Sequence, residues 1–140
     1  MKIFLILFFL TTIIQAKDKD LRLESTIYYA LIKELTHSQR PKIYLADNVL
    51  SIQKFSSRFN LVKNCENANI IIVTHIKNID SECKDKILFG TKYQTLDNKS
   101  VVGAFFWQKG RPNILFYQTR LTKYGIQLSK HFTKYIDNEK

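Results

Sequence analysis

Residues that commonly mark catalytic or cofactor sites are scarce in this sequence of 140 residues. It has four glycines, and Gly103, Gly110 and Gly125 form no loop that could wrap a phosphate group. Cys65 and Cys83 form no CxxC pair, and the histidines form no HxxxH pair. The common metal-binding and nucleotide-binding signatures are therefore absent, and we expect no metal and no cofactor.

A recognisable nucleophile is also lacking, because no serine or cysteine sits in a nucleophile elbow. We interpret His37, His75 and His131 as ordinary surface or partly buried residues. A triad assembled by folding stays open at this level, since its members need not be close in sequence. The prediction is a protein without catalytic residues, not an enzyme.

Long apolar runs are missing except at the N-terminus. There, Lys2 precedes the apolar run Ile3 to Ile14, and Ala16 precedes a charged segment. This order predicts a secretory signal peptide over residues 1–16, cleaved after Ala16. A membrane anchor is the alternative, but the run is shorter than the roughly 20 residues that a bilayer requires. Residues 17–140 are then one periplasmic domain.

Acidic residues are few: 12 Asp and Glu stand against 22 Lys and Arg. Removing Lys2 with residues 1–16 leaves 21 basic and 12 acidic residues, a formal charge of +9. Because the chain is predicted to be exported, nucleic acid is not an expected partner. The charge predicts attraction to anionic lipid, cell-wall polymer, an acidic ligand or an acidic partner domain. The alternative is a lysine-rich composition spread over a solvated surface.

The pattern of apolar residues predicts an α/β fold. Residues 21–37 form an amphipathic helix, and Asp47 or Asn48 would cap a second helix reaching Phe59. The run Asn69–Thr74 is rich in β-branched residues and apolar on both faces, as in a buried parallel sheet, and Ile87–Gly90 is a further apolar run of this kind. The predicted strands are Lys42–Ala46, Leu61–Lys63, Asn69–Thr74 and Ile87–Gly90.

After residue 100 the pattern changes to an antiparallel hairpin with Gly110 in its turn. Two closing helices follow, and Gly125 ends the first. The expected domain has three layers, with a mostly parallel central sheet, the C-terminal antiparallel hairpin and these two helices. The hairpin strands are Val101–Trp107 and Asn113–Tyr117, and the closing helices are Thr119–Tyr124 and Leu128–Ile136.

The two cysteines are placed for a disulfide. Cys65 lies five residues before Ile70, and Cys83 lies four residues before Ile87. If the strands that begin there are parallel neighbours, both cysteines enter the sheet from the same end. A bridge across about 18 residues is worth roughly 3 kcal/mol in the chain-entropy model. We interpret it as structural, with a redox-sensitive switch as the alternative.

Two surfaces are candidates for binding. Ligands of open parallel sheets bind at the carboxyl ends of the strands, where Lys92 and Tyr93 could hold a small anion or an aromatic ring; plain connecting loops are the alternative. The hairpin tip is the candidate docking surface for a partner protein. The first surface comprises Asp47, Asn48, Thr74, Lys92 and Tyr93, and the second comprises Phe106, Trp107, Lys109 and Arg111.

A signal peptide, a cysteine just before a buried strand (Cys65 to Ile71), an aliphatic-aromatic hairpin and closing helices resemble the YfiR-type periplasmic regulators. The resemblance covers residues 40–136. It implies a compact α/β protein related in shape to half of a periplasmic solute-binding protein. It also implies a membrane-bound signalling partner, classically a diguanylate cyclase. The chain is similar as well to small exported proteins found beside sensor kinases, which makes a histidine kinase the alternative partner. No ligand residue of that family is carried over.

The preferred hypothesis is therefore an exported, non-enzymatic regulatory or sensory domain. It would dock on the extracytoplasmic part of a membrane signalling protein. A small-ligand binding module with the strand-end crevice as its site is the alternative. An enzyme acting on envelope polymer is a third reading, which needs a carboxylate pair or a nucleophile-base pair in one cleft.

Overall fold

A seven-stranded sheet forms the centre of the molecule. The computed structural model describes the backbone of residues 2–139 and the side chains of residues 19–139; the predicted signal peptide, residues 1–16, lies outside the described side chains. The strands are β1 Lys42–Leu45, β2 Asn60–Leu61, β3 Ile70–Val73, β4 Ile87–Gly90, β5 Val101–Gln108, β6 Arg111–Tyr117 and β7 Ile136–Asp137.

Their order across the sheet is β2-β1-β3-β4-β5-β6-β7. The first five strands are mutually parallel, β6 is antiparallel to β5, and β7 is parallel to β6. The predicted α/β fold, with a mostly parallel sheet and an antiparallel hairpin, is confirmed.

Strand β3 shows why the sheet has two covered faces. All four of its residues are buried, as expected for an all-apolar central strand. Ile70 and Ile72 point into one apolar cluster, which we call the helix-side core. Ile71 and Val73 point into a second cluster with both cysteines, which we call the disulfide-side core.

Helix α1, Lys2–Thr36, covers the helix-side core. The predicted apolar face is confirmed, because its four residues are at most 2% exposed. Tyr28 packs edge-on against Phe105, with ring centroids 5.2 Å apart. Burial, with a smaller contribution from nearby Glu24, raises the pKa of Tyr28. The four residues are Tyr28, Leu31, Ile32 and Leu35.

The disulfide-side core is covered by short 3₁₀ turns rather than by α-helices. The connection from β3 to β4, residues 74–86, forms two such turns, and the connection from β4 to β5, residues 91–100, forms one. The four turns on this side are Cys65–Asn67, Ile76–Asn78, Ser81–Cys83 and Tyr93–Asp97.

The second helix is shorter than predicted and is capped differently. Helix α2, Leu50–Lys54, has Val49 at its N-cap, with no side-chain hydrogen bond there. The prediction that Asp47 or Asn48 caps this helix is wrong, because the carboxylate of Asp47 accepts hydrogen bonds from a different loop. Beyond α2 the chain continues in a 3₁₀ turn, Ser56–Arg58.

The first closing helix is confirmed as α3, Gln118–Lys123. Gly125, with φ of 66°, ends it in a Schellman motif: the amide of Gly125 donates to Thr122 and the amide of Ile126 donates to Leu121. Ile126 and Leu121 both lie in the helix-side core, so apolar packing accompanies the hydrogen bonds of the motif.

The second closing helix, predicted over Leu128–Ile136, is wrong. This segment contains a 3₁₀ turn, Thr133–Tyr135, followed by β7. Ile136 pairs with Phe116 at the edge of the sheet. The segment contains His131, Thr133 and Tyr135, which are mediocre helix formers, and the open edge of β6 offers hydrogen bonds to its backbone instead. Within the described residues, no helix has the length and apolar character needed to cross a membrane.

Candidate functional site

Asp47 connects the carboxyl ends of two parallel strands. It follows β1, and its carboxylate accepts hydrogen bonds from the amides of Thr74 (2.6 Å) and His75 (3.1 Å), which follow β3. Asn78 donates its side-chain amide to Asp47 at 2.6 Å, and the ring of His75 lies 3.2 Å away. Both carboxylate oxygens are thus occupied by neighbouring protein groups.

The ionised form of Asp47 is favoured by this arrangement. Burial alone raises the pKa of Asp47, but the amides of Thr74 and His75 and the side chains of Asn78 and His75 together outweigh burial. The net pKa of this carboxyl is lower than its usual value. The chemistry of Asp47 is therefore that of an anchoring carboxylate, not of a proton donor or acceptor held near neutral pH.

A threonine ladder extends the connection to β4. The hydroxyls of Thr74 and Thr91 lie 2.6 Å apart, and the hydroxyl of Thr95 donates to the carbonyl of Thr74 at 3.1 Å. Gly90 is needed here, because a Cβ would come within 2.8 Å of the Cβ of Thr95. The ends of β1, β3 and β4 are thus closed by the protein's own polar groups.

The remaining residues of the predicted ligand site lie around this closed edge. The side chain of Asn48 is exposed and accepts a hydrogen bond from Gln53. Lys92 is also exposed. Tyr93 is 53% exposed, and its ring packs against Phe106 with centroids 5.4 Å apart. The structure brings Asp47 and Thr74 into direct contact, and it leaves Lys92 and Tyr93 on the surface beside the hairpin.

The β5–β6 hairpin projects beyond the carboxyl edge of the parallel strands. Strand β4 pairs with β5 as far as Ala104, and β7 pairs with β6 at Phe116 and Tyr117. Four residues of β5 and five of β6 extend past these pairings, so β5 extends by about 14 Å at roughly 3.4 Å per residue. Within the described residues, the outer edge of β6 from Arg111 to Leu115 faces no other strand.

Pro112 fits this free edge. The two-residue loop makes Gln108 and Arg111 the closing hydrogen-bonded pair, so Trp107 and Pro112 form the next, non-hydrogen-bonded pair. At such a position the backbone nitrogen of Pro112 faces away from β5, and its missing N–H removes no ladder bond. Ile114 occupies the equivalent position two residues later and turns its N–H and carbonyl outward.

The tip of the hairpin is basic and tightly turned. Lys109 and Gly110 have φ values of 52° and 72°, as in a type I′ turn. Both Lys109 and Arg111 are exposed. Together with Gln108 and Asn113, these two cations border a shallow surface depression.

Trp107 is anchored on one side and open on the other. Its indole N–H donates to Glu24 of α1 at 2.9 Å, and its ring lies 6.0 Å from that of Phe105. The other carboxylate oxygen of Glu24 accepts a hydrogen bond from the buried hydroxyl of Ser51. Trp107 nevertheless remains 40% exposed, whereas Phe106, predicted to lie at the exposed tip, is half-buried.

The predicted disulfide is confirmed. Cys65 and Cys83 are bonded, with their Cα atoms 5.9 Å apart, within the usual range for a disulfide. Both residues are at most 5% exposed and lie in the disulfide-side core. The bond links the turn before β3 to the turn before β4, as expected for parallel neighbours. Its burial fits a structural role, since redox-switch disulfides are commonly exposed or strained.

Arg120 is an important residue that the sequence did not reveal. Its guanidinium is 6% exposed and donates to the carbonyls of Leu96, Asn98 and Val101. It also pairs with Glu139, and the pKa of Glu139 is lowered chiefly by that hydrogen bond. Every arm of the guanidinium is thus used to fix the turn before β5 and the C-terminal segment. No local pattern marks such a residue, because its acceptors are carbonyls from elsewhere in the chain.

A cavity of about 280 Å³ is a second feature that sequence patterns missed. It lies between α1, the segment before β1 and the 3₁₀ turn before β2. Its rim contains Lys33, Arg40 and Arg58. These basic residues are distant in sequence, so only the fold brings them together.

Over the part of the chain that the structure describes, no group of three or more His, Cys, Asp or Glu side chains could hold a metal ion. Asp47 and His75 form a close acid–imidazole pair, but the nearby hydroxyls of Thr74 and Thr91 bond to each other. This arrangement stabilises the strand ends.

The chain resembles a solved structure in fold. A conserved domain protein from Vibrio cholerae O1 biovar El Tor strain N16961 superposes with a TM-score of 0.60 at 11% sequence identity. The match covers 83% of this chain and 60% of that protein, so this chain spans less than two thirds of its length. At this identity the similarity supports the α/β fold alone. No family model and no curated protein sequence matches the chain.

Proposed function

We propose that this protein is an exported, non-enzymatic regulatory or sensory domain that docks on the extracytoplasmic part of a membrane signalling protein. The observation that supports this proposal best is the projecting β5–β6 hairpin. It combines an open β6 edge with an exposed Trp107 and the cations Lys109 and Arg111.

Each part of the hairpin suits a protein partner. Trp and Arg are the residues most enriched among binding hot spots. An exposed strand edge can accept an extended segment of a partner through main-chain hydrogen bonds. Trp107 is pre-positioned by Glu24, so less side-chain freedom would be lost on binding. The tip would select an acidic surface, because Lys109 and Arg111 have no carboxylate within ion-pairing distance in the described chain.

Other properties support the extracytoplasmic setting. A buried disulfide in a small domain is typical of oxidising compartments, and the N-terminal sequence has the pattern of a signal peptide. The resemblance to YfiR-type regulators favours a membrane-bound cyclase as the partner, and the similarity to small exported proteins found beside sensor kinases favours a sensor kinase. The strand-end ligand site has weaker support, because both oxygens of Asp47 are already occupied.

The experiment is affinity capture from membranes of the source organism, followed by measurement of the purified pair. We expect the mature protein to bind a signalling protein with an extracytoplasmic domain. The double variant Trp107→Ala/Arg111→Gln removes two hot-spot residues, each worth about 2 kcal/mol, and should weaken binding by about a hundredfold or more.

A matched control lies at the opposite edge of the sheet. Leu61→Ala/Lys63→Gln also removes one exposed apolar side chain and one exposed charge, and it should bind like the wild type. Circular dichroism would show that both double variants are folded. Equal binding by the wild type and the hairpin variant would refute docking through the hairpin.

A further inference from the structure

The cavity beside α1 has an apolar floor. Ile32 and Ile43 are at most 1% exposed, and Phe59 is 8% exposed. Tyr29 forms a wall and meets Phe59 edge-on, with ring centroids 6.2 Å apart. Small-ligand sites commonly combine apolar and aromatic walls with polar groups that fix the orientation of the ligand.

Its rim is strongly cationic. Lys33, Arg40 and Arg58 line the opening, and in residues 19–139 no carboxylate lies within ion-pairing distance of any of them. The ammonium of Lys33 lies 5.1 Å from the centre of the Tyr29 ring, and Arg58 donates to the hydroxyl of Thr26 at 2.8 Å. Three cations without a counter-charge around one cavity create a local positive potential that attracts anions.

The size of the cavity sets the size of the occupant. An apolar cavity of roughly 150 Å³ can accommodate a benzene molecule. A cavity of about 280 Å³ therefore has room for a ring or short aliphatic body together with a charged group. Guanidinium groups bind carboxylates and phosphates through paired N–H donors. Arg40 and Arg58 each supply one guanidinium group.

We propose that this cavity is a binding site for a small organic anion. The carboxylate or phosphate group is held by Lys33, Arg40 and Arg58, and the apolar body lies against Tyr29 and Phe59, above the buried Ile32 and Ile43. The site lies at the amino ends of β1 and β2, whereas the hairpin projects from the carboxyl ends of the parallel strands. The proposal therefore goes beyond docking through the hairpin and does not depend on it.

A fragment series tests both halves of the site in the intact protein. Calorimetry and NMR would compare phenyl phosphate and benzoate with inorganic phosphate, which lacks the body, and with benzyl alcohol, which lacks the charge. We expect phenyl phosphate or benzoate to bind at least tenfold more tightly than either partial probe, and to shift the resonances of Tyr29 and Phe59. The one of these two compounds that binds more tightly shows whether the site prefers a phosphate or a carboxylate group.

Arg40→Gln is the key variant, because no described side chain forms a hydrogen bond or ion pair with Arg40, so the fold should be unaffected. Loss of a charged hydrogen bond predicts about tenfold weaker binding. Lys33→Gln should also weaken binding of the probe. Arg58→Gln is a less specific test, because Arg58 also donates a hydrogen bond to Thr26. Arg111→Gln removes the same charge from the hairpin and should bind the probe like the wild type.

Two results would overturn the proposal. One is the absence of saturable binding by both phenyl phosphate and benzoate. The other is an equal loss of affinity in Arg40→Gln and Arg111→Gln, which would mean that the overall positive charge attracts the probe. Neither result bears on the hairpin, whose own test uses the membrane partner.

Discussion

At the scale of single residues, Asp47 shows how a carboxylate that could cap a helix can bind the end of a neighbouring strand instead. The sequence places it directly after β1, where a carboxylate commonly caps the next helix. The amides after β3 compete for the same oxygens and lie at 2.6 and 3.1 Å. Asp47 therefore holds two strand ends together and leaves α2 without a side-chain cap.

Replacing Asp47 with Asn should destabilise the protein in a pH-dependent way. Asn has one acceptor oxygen and no charge, so we expect a loss of about 2 kcal/mol at pH 7. The folded pKa of Asp47 lies below its unfolded value of about 3.9, so its stabilisation is complete above about pH 4. That stabilisation is lost as the pH falls through the folded pKa.

Urea unfolding of the wild type and Asp47→Asn at pH 7 and at pH 2.5 would measure this effect. The difference between the two proteins should shrink at the lower pH. Glu139 also has a lowered pKa, but it is present in both proteins and cancels in the comparison. A difference that stays constant with pH would contradict the proposed role of the ionised carboxylate.

A prediction for single residues was confirmed where their positions relative to a nearby strand determined the contact. The cysteine pairing followed from similar distances, five and four residues, to two neighbouring strands, and the bond is present. Arg120 could not be recognised in the same way. Its buried state depends on three carbonyls and Glu139, which folding brings together from 19 to 24 residues away.

At the scale of elements, periodicity predicted those that pack on a large apolar surface. Helix α1 has four nearly inaccessible apolar residues on one face, and its pattern was clear in the sequence. The segment from Leu128 to Ile136 also has apolar residues at helical spacing. The end of this segment forms strand β7 instead of a helix, because the free edge of β6 pairs with Ile136 and Asp137. Sequence spacing alone does not reveal such an edge.

The hairpin turn provides a prediction at this scale. Lys109 occupies the left-handed region, with φ of 52°, which Asn tolerates better than Lys does. Lys109→Asn should therefore raise the free energy of unfolding by about 0.5 kcal/mol, while Gly110→Ala, at φ of 72°, should lower it by about 1 kcal/mol.

Chemical denaturation of both turn variants would check these values. Lys109→Asn also removes a tip cation, so it should weaken partner binding even though it stabilises the fold. A variant that is both less stable and weaker in binding would instead indicate that Lys109 supports the turn through contacts of its side chain.

At the scale of the whole molecule, the sequence predicted the sheet better than the layers around it. Continuous apolar runs located β3 and β4, because burial on both faces leaves little room for polar residues. The 3₁₀ turns over the disulfide-side core carry no comparable periodicity. The cavity beside α1 was missed for a related reason, since its three cations come from separate parts of the chain.

We propose the hairpin as the docking surface for a membrane signalling protein, and site-specific photo-crosslinking in cells of the source organism can test this role. The photoreactive residue is placed at position 109 or, as a control, at position 63 on the opposite sheet edge. We expect an adduct from position 109 with one membrane signalling protein, lost when Trp107 and Arg111 are also replaced, and none from position 63. An adduct from position 63 with that membrane protein, without one from position 109, would contradict it.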